Sequence, residues 1–166
     1  MKSTLLKITN MEIAPKFRNT AFLRAFSLLK IPMLFFVGPV VEELTEERCV
    51  VRIPLNFRTK NHLGSMYFGV LCTGADCAAG LIAMKDIRTS SVPIQLVFKN
   101  FEAKFLKRAQ GDVYFVCDIG REVKALVVKA INSEERQELP VPVKAYVDRA
   151  GEPVAEFVLT LSLKRK

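Results

Sequence analysis

Residues 61 to 80 read NHLGSMYFGVLCTGADCAAG, and this stretch decides the fold of the chain. It predicts a loop that runs into a long apolar helix, from about Ser65 to Asp86. Glycines at positions 69, 74 and 80 each lower the intrinsic helix stability by about 1 kcal/mol relative to alanine, so propensity alone does not justify this helix. We therefore expect a central helix held by tertiary packing, whose small side chains let a sheet approach its backbone closely.

Asp76 is the only formally charged side chain between Lys60 and Lys85. Burying an ionised carboxylate among apolar residues costs several kcal/mol if nothing compensates the charge. Such a residue is either paired with a distant group or placed where solvent or a ligand reaches it, as catalytic carboxylates are. We predict a functional role for Asp76, with a structural hydrogen bond to the sheet or to a partner subunit as the alternative.

The segments around the central helix predict an antiparallel sheet. Asn19 to Lys30 predicts a short amphipathic helix that packs on its own domain, and Glu122 to Ile131 predicts a helical turn or two. Alternating apolar residues predict strands near 51–55, 94–105, 113–119, 141–147 and 155–163, with a bulge near Lys99 and Asn100. At 166 residues, this order fits one α+β domain in which a single antiparallel sheet curls around the long helix.

The net charge of +8 comes from scattered lysines and arginines, with no basic block that alternates with aromatic residues. A solvated basic surface or a phosphate-bearing small molecule such as coenzyme A explains the charge better than nucleic acid does. The apolar stretch from Ile31 to Val41 is interrupted by proline and glycine and is far short of the roughly 20 residues of a membrane helix. We expect no nucleic-acid partner and no membrane insertion.

Four cysteines, at positions 49, 72, 77 and 117, include no C-x-x-C pair, and His62 is the single histidine. This composition excludes a histidine-rich metal site and predicts reduced, mostly buried cysteines. We expect a cytoplasmic protein, since the amino terminus lacks the apolar core of a signal peptide, and we expect no metal or redox cofactor.

The order of elements, together with the segment 61–80, resembles the hotdog fold, specifically the small acyl-coenzyme A thioesterases of the phenylacetate-pathway type. In that family a loop asparagine precedes a His-Gly-Gly at the start of the central helix, and an aspartate follows about two turns later. Asn61, Gly64, Gly69 and Asp76 match this pattern in order and spacing.

Two later segments extend the resemblance. FLKRAQGDV at 105–113 looks like the family's third strand and its turn, and AYVDRAGEPVAEFVLTLSL at 145–163 resembles its closing hairpin. The resemblance covers roughly residues 45–163 of a single domain, 1–166, in which residues 1–44 supply an amino-terminal helix and lead-in.

The resemblance implies hydrolysis of an acyl-coenzyme A thioester without any cofactor beyond the coenzyme A of the substrate. Asp76 is then the base or nucleophile, and Asn61 orients water or the thioester, usually across a dimer interface from the aspartate. The backbone N–H of Gly69, in the first turn of the helix, donates to the oxyanion with help from the helix dipole. A homodimer or homotetramer is expected, because the site is shared between subunits.

The chain departs from the family where Tyr67 and Phe68 replace the histidine and the first glycine. These two side chains and Gly64 are expected to contact the substrate, with Phe68 narrowing the acyl channel. Lys107 and Arg108 lie at the end of a strand, where proteins of this family often contact the nucleotide end of coenzyme A.

Several alternatives stay open. The departure at the helix start favours a non-catalytic hotdog protein that binds acyl-coenzyme A or a fatty-acyl chain. The two matched glycines serve equally well as turn and packing residues, and the two basic residues as surface charge. His62 invites a dehydratase hypothesis, but it lies beside the matched asparagine rather than at the helix start. Cys72 and Cys77 are expected in the core, since no second histidine is present to activate a thiolate.

Overall fold

The computed structural model describes residues 2–147 and 149–166, with side chains from residue 16 onward; Asp148, within the predicted closing hairpin, lies outside them. The described residues form four helices and six strands. In chain order these are α1 (Lys2–Lys30), α2 (Pro32–Val37), β1 (Val40–Leu44), β2 (Cys49–Ile53), α3 (Phe68–Ile87), β3 (Ile94–Phe105), β4 (Val113–Cys117), α4 (Gly120–Ile131), β5 (Gln137–Tyr146) and β6 (Ala155–Arg165).

The six strands form one antiparallel sheet in the order β1-β2-β4-β5-β6-β3. Helix α3 packs across strands β2, β4, β5 and β6, so the predicted α+β hotdog architecture is confirmed. Among the described strands, β3 pairs only with β6, and no described residue pairs with its other edge. The register of this pair shifts between Phe98 and Asn100, at the predicted bulge.

Small side chains allow α3 to lie close to the sheet. Ala75, Ala78 and Ala83 are fully buried. At Gly74 an added Cβ would lie 2.2 Å from the Phe115 ring of β4, which is itself fully buried. The expectation that the sheet approaches the helix backbone is therefore confirmed.

Helix α3 begins three residues later than predicted, at Phe68 instead of Ser65. The reason is the preceding loop. The backbone N–H of Met66 donates to the Ala109 carbonyl at 2.8 Å, and the Ser65 carbonyl accepts from the Asn61 N–H at 2.8 Å. These two bonds hold Ser65 and Met66 in the loop, so helix α3 begins only after them.

The amino-terminal lead-in contains more structure than predicted. Helix α1 begins at Lys2 rather than Asn19, and β1 lies within the predicted lead-in. The second half of α1 docks on β1, where the Thr20 hydroxyl accepts from the Val41 N–H at 3.0 Å and Leu23 is buried.

Helix α4 is a full 12 residues long, whereas the sequence predicted only a turn or two. Its buried residues recur at helical spacing, at Val123, Leu126, Val127 and Ala130. They pack against α3, β5 and β6, and this burial stabilises a helix that the sequence pattern understated.

Candidate active site

Asp76 lies half-buried on α3 with a carboxylate that no described residue neutralises. None of the described hydrogen bonds or ion pairs includes this side chain. Burial raises its pKa above the usual value for an aspartate, with no cation to oppose the shift. A carboxylate with a raised pKa and free oxygens is a stronger base than an ordinary aspartate, as a general base requires.

Two cavities meet at Asp76. The inner cavity, of about 400 Å³, lies between α1, α3 and β3. The outer cavity, of about 270 Å³, is a more open space beside α2 and β3. Both contain Ile31 and Leu34 in their walls as well as the aspartate, so the carboxylate stands at their junction.

The loop before α3 is organised by Asn61. Its side-chain oxygen accepts from the Leu63 N–H at 2.9 Å, the Ser65 N–H at 3.2 Å and the Ser65 hydroxyl at 3.3 Å. Its side-chain NH₂ has no acceptor among the described residues and is free to donate. Gly64 has a left-handed φ of +77° with open space around its Cβ position, so the turn itself requires this glycine.

The start of α3 presents two backbone donors. Tyr67 precedes the helix without a side-chain cap, and within the described residues no acceptor receives the N–H of Phe68 or Gly69. Phe68 adopts an ordinary helical conformation, so its bulk does not strain the backbone. The Tyr67 ring lies against Gly69, where an added Cβ would meet it at 2.7 Å.

A third space, the loop cavity, has a volume of about 310 Å³ and contains most of the other predicted residues. Asn61, Tyr67, Phe68 and Arg108 line it. The two aromatic rings lie 4.8 Å apart and are half-exposed. His62 also lines this cavity.

Lys107 differs from its basic neighbour. Its ammonium group pairs with the Glu152 carboxylate, and it is absent from the lining of the loop cavity. Arg108 forms no ion pair with any described residue and faces the cavity. Of the two predicted basic residues, only Arg108 therefore lies where a ligand in this cavity would reach it.

Within one chain the structure does not bring Asp76 together with Asn61 or Gly69. The loop cavity has no lining residue in common with the inner or outer cavity. Seven residues separate Gly69 from Asp76, which places the free N–H about 10 Å along the helix axis from the aspartate. Both groups cannot act on the same carbonyl unless they come from different copies of the chain.

Sequence reasoning did not single out most of the residues that line the two cavities at Asp76, among them Thr73, Phe101 and Gly80. Thr73 and Phe101 line the outer cavity, and Gly80 lines the inner one. The Thr73 hydroxyl donates to the Gly69 carbonyl at 2.8 Å. Positions three before and four after Asp76 share its helix face, so helical spacing was the available signal for Thr73 and Gly80. Phe101 comes from β3, and no local spacing links it to the aspartate.

Of the two cysteines expected in the core, Cys77 lies there, whereas Cys72 is half-buried and lines the outer cavity. Cys77 is buried, which raises its pKa well above that of an ordinary thiol, and half-burial also raises the pKa of Cys72.

In the described part of the chain, no three His, Cys, Asp or Glu side chains are grouped to hold a metal ion. Among the described helices, α3 alone is long and apolar enough to cross a membrane, and more than half of its apolar window is buried as core.

Residues 18–163 match the family described as "Domain of unknown function (DUF4442)". The match therefore begins well before residue 45, where the predicted resemblance started. No curated protein matches the sequence.

Solved structures with the same fold include three from bacteria. A Chlorobaculum tepidum protein of unknown function has a TM-score of 0.77 and 13% identity, with 91% of this chain and 97% of that chain covered. A Pseudomonas aeruginosa protein of unknown function, described as a probable thioesterase, has a TM-score of 0.71 and 25% identity, with coverages of 89% and 96%. A thioesterase family protein from Silicibacter pomeroyi has a TM-score of 0.61 and 17% identity, with coverages of 89% and 99%.

Proposed function

The chain belongs to the DUF4442 family, and from this premise we propose that it hydrolyses acyl-coenzyme A thioesters to a free acid and coenzyme A. One observation carries the proposal: the unpaired carboxylate of Asp76 stands at the junction of two apolar cavities, with a pKa raised by burial. Structural neighbours described as thioesterases support the same class of reaction. Free cysteines fit a reducing cytoplasm.

In the proposed reaction Asp76 acts as general base. It takes a proton from a water molecule while the water oxygen attacks the thioester carbonyl. The tetrahedral intermediate then loses the thiolate of coenzyme A, which takes up the proton, and the acyl group leaves as the free acid. Asp76 can instead attack the carbonyl itself as a nucleophile and expel the thiolate of coenzyme A; water then hydrolyses the resulting anhydride to the free acid and the regenerated Asp76 carboxylate.

The developing oxyanion needs donors about 3 Å away, and these are proposed to come from a second copy of the chain. The free N–H of Gly69 and the side-chain NH₂ of Asn61 are the candidates. Arg108 would bind a phosphate of coenzyme A at the mouth of the loop cavity. In the described chain, Gly69 lies about 10 Å along the helix axis from Asp76. The loop cavity that Asn61 and Arg108 line has no lining residue in common with the two cavities at Asp76.

The free edge of β3 offers a way to bring the two copies together. A long unpaired edge strand is a template for pairing with another strand. Val97, Phe101 and Phe105 of this strand are exposed apolar residues, and they line the inner, outer and loop cavities respectively. A second β3, paired antiparallel, would place the partner's loop cavity near the Asp76 of the first copy. We propose a homodimer built this way, or a tetramer of such dimers.

The hydrolysis test compares wild type with Asp76→Asn on short, medium, long and aryl acyl-coenzyme A thioesters, with free thiol followed by a colorimetric reagent. Asp86→Asn is the matched control, because Asp86 lies on the same helix but lines none of the described cavities. Turnover that is lost in Asp76→Asn and kept in Asp86→Asn supports the proposal. No thiol release with retained binding would instead favour the non-catalytic acyl-binding protein.

The shared site is tested by mixing two inactive variants, Asp76→Asn and Asn61→Ala, after dissociation and reassembly. In a two-fold dimer with shared sites, each heterodimer regains one intact site, so about a quarter of wild-type turnover is expected. If both residues act within one chain, the mixture stays inactive. That result would contradict the proposed assembly and leave hydrolysis itself untouched.

A further inference from the structure

We propose that the inner cavity holds the acyl chain of the substrate and that Gly80 sets the longest chain accepted, so that the substrates carry medium to long unbranched acyl groups. This inference rests on the proposed function, because it places the reacting carbonyl at Asp76. It assigns a specificity role to a glycine that the sequence analysis had noted only for its low helix propensity.

The wall of the inner cavity is suited to an apolar ligand with one polar end. Among the described residues, Asp76 contributes the only charged side chain to this wall. The other described members are apolar apart from the thiol of Cys77, and include Phe22 and Phe26 of α1, Met84 of α3 and Phe98 of β3. A polar group beyond the junction would lose its hydration without gaining a partner, which costs free energy.

The cavity follows one face of α3. Asp76, Gly80 and Met84 are spaced four residues apart and therefore stack on this face, and Ile87 lies about one turn further on. From Asp76 to Ile87 the helix rises about 16 Å, so the space is long and matches an extended chain better than a compact ring. Its volume of about 400 Å³ lies within the usual range for ligand pockets.

Gly80 has no structural reason to be a glycine. Its φ is not positive, unlike those of Gly38 and Gly64. The nearest atom to an added Cβ would be Cε2 of Phe98, at 3.9 Å, whereas at Gly74 the Phe115 ring leaves no room at all. A mid-helix glycine costs about 1 kcal/mol relative to alanine. What the missing side chain provides is open space in the wall of the cavity, one helical turn beyond the aspartate.

Helix α1 covers the inner cavity, and we infer that the outer cavity is its entrance. Phe22 and Phe26 of α1 form part of its wall. The outer cavity joins it at Ile31, Leu34 and Asp76. A thioester entering from the outer cavity would leave its carbonyl at the junction and extend its chain beneath α1.

The first experiment measures kcat/KM for butanoyl-, octanoyl-, dodecanoyl- and hexadecanoyl-coenzyme A in wild type, Gly80→Leu and Gly80→Ala. The leucine side chain would fill the cavity one turn from Asp76. We expect it to lower kcat/KM for the two longest substrates by at least about tenfold and to change that for butanoyl-coenzyme A by less than about twofold. Gly80→Ala, which adds one methyl group, is the graded variant and should lower kcat/KM for hexadecanoyl-coenzyme A by less than Gly80→Leu does.

A binding measurement separates this inference from the hydrolysis itself. Dodecanoyl-coenzyme A is titrated calorimetrically into Asp76→Asn protein, with and without Gly80→Leu. Loss of binding on adding Gly80→Leu supports the inference even if no variant releases thiol. Equal binding, or an unchanged chain-length preference in an active Gly80→Leu enzyme, overturns it while leaving the proposed hydrolysis in place.

A second blocking variant keeps the inference testable if Gly80→Leu does not fold. Met84→Trp places bulk one turn further along the same wall. It should reduce turnover and binding of the hexadecanoyl substrate and spare the octanoyl one. A Met84→Trp protein that treats both substrates as wild type does would overturn the proposed path of the chain.

Discussion

Two glycines on the same helix provide a test of how closely α3 lies against the sheet. At Gly74 an added Cβ would lie 2.2 Å from two atoms of the Phe115 ring and 2.6 Å from a third. At Gly80 the nearest atom would be 3.9 Å away. We therefore predict that alanine has opposite effects on stability at these two positions.

The magnitudes follow from two terms. Either substitution gains about 1 kcal/mol from helix propensity. At Gly74 the methyl group must displace a fully buried ring, and overpacking a core typically costs about 1–3 kcal/mol, with the upper end expected for such short contacts. Gly74→Ala should therefore destabilise by about 2 kcal/mol. Gly80→Ala should stabilise by about 0.5–1 kcal/mol.

The assay is urea unfolding followed by circular dichroism at one fixed protein concentration, because assembly would otherwise shift the apparent stability. In thermal unfolding, the loss of about 2 kcal/mol at Gly74 corresponds to a fall in Tm of about 4–8 °C for a chain of this size. Each variant serves as the control for the other, since both change glycine to alanine in one helix. If Gly74→Ala is as stabilising as Gly80→Ala, α3 does not lie in close contact with β4 at Gly74.

Four further predictions concern charge, backbone and thiols. Burial raises the pKa of Asp76 in the folded protein, so ionisation of this carboxyl lowers the stability of the fold once the pH exceeds the unfolded-state pKa of about 3.9. The Asp76→Asn variant should therefore have a higher Tm than wild type at pH 7, and the difference in Tm should vanish near pH 3. Gly64→Ala should lower the free energy of unfolding by about 1–2 kcal/mol, because alanine disfavours the left-handed φ and no steric contact adds to this cost. Gly64→Asn should lower it by less, because asparagine adopts this conformation more readily. Arg52 donates to two carboxylates at 2.9 and 2.7 Å, so Arg52→Ala should cost about 1.5–3 kcal/mol in urea unfolding; an unchanged midpoint would contradict this role. Of the four free cysteines, Cys72 alone is not buried. A colorimetric thiol reagent should therefore label Cys72 first and the other three cysteines only on unfolding. Rapid labelling of all four in the native protein would contradict the burial of the other three.

Much of the fold followed from local patterns. The charge-free run after Lys60 predicted a central packed helix, and the alternation that shifts between Phe98 and Phe101 predicted the bulge in β3. The bulge signal rests on the two-residue period of a strand, whereas the helix signal is a lack of charge over about 20 residues; both can be read from neighbouring positions in the sequence. The helix start was three residues off because backbone bonds from the loop to Ala109, distant in sequence, hold Met66 outside the helix.

The sequence by itself determined that Asp76 would be an isolated charge in an apolar helix, and that its family pattern includes Asn61 and Gly69. Only the tertiary structure decided that Asp76 and Asn61 line separate cavities within one chain and that, among the described residues, space is open beside Gly80. The physical reason is that helical and strand periodicities act over a few neighbouring residues. A cavity, by contrast, is the space left between elements far apart in sequence, here α1, α3 and β3, and its size depends on how closely they pack.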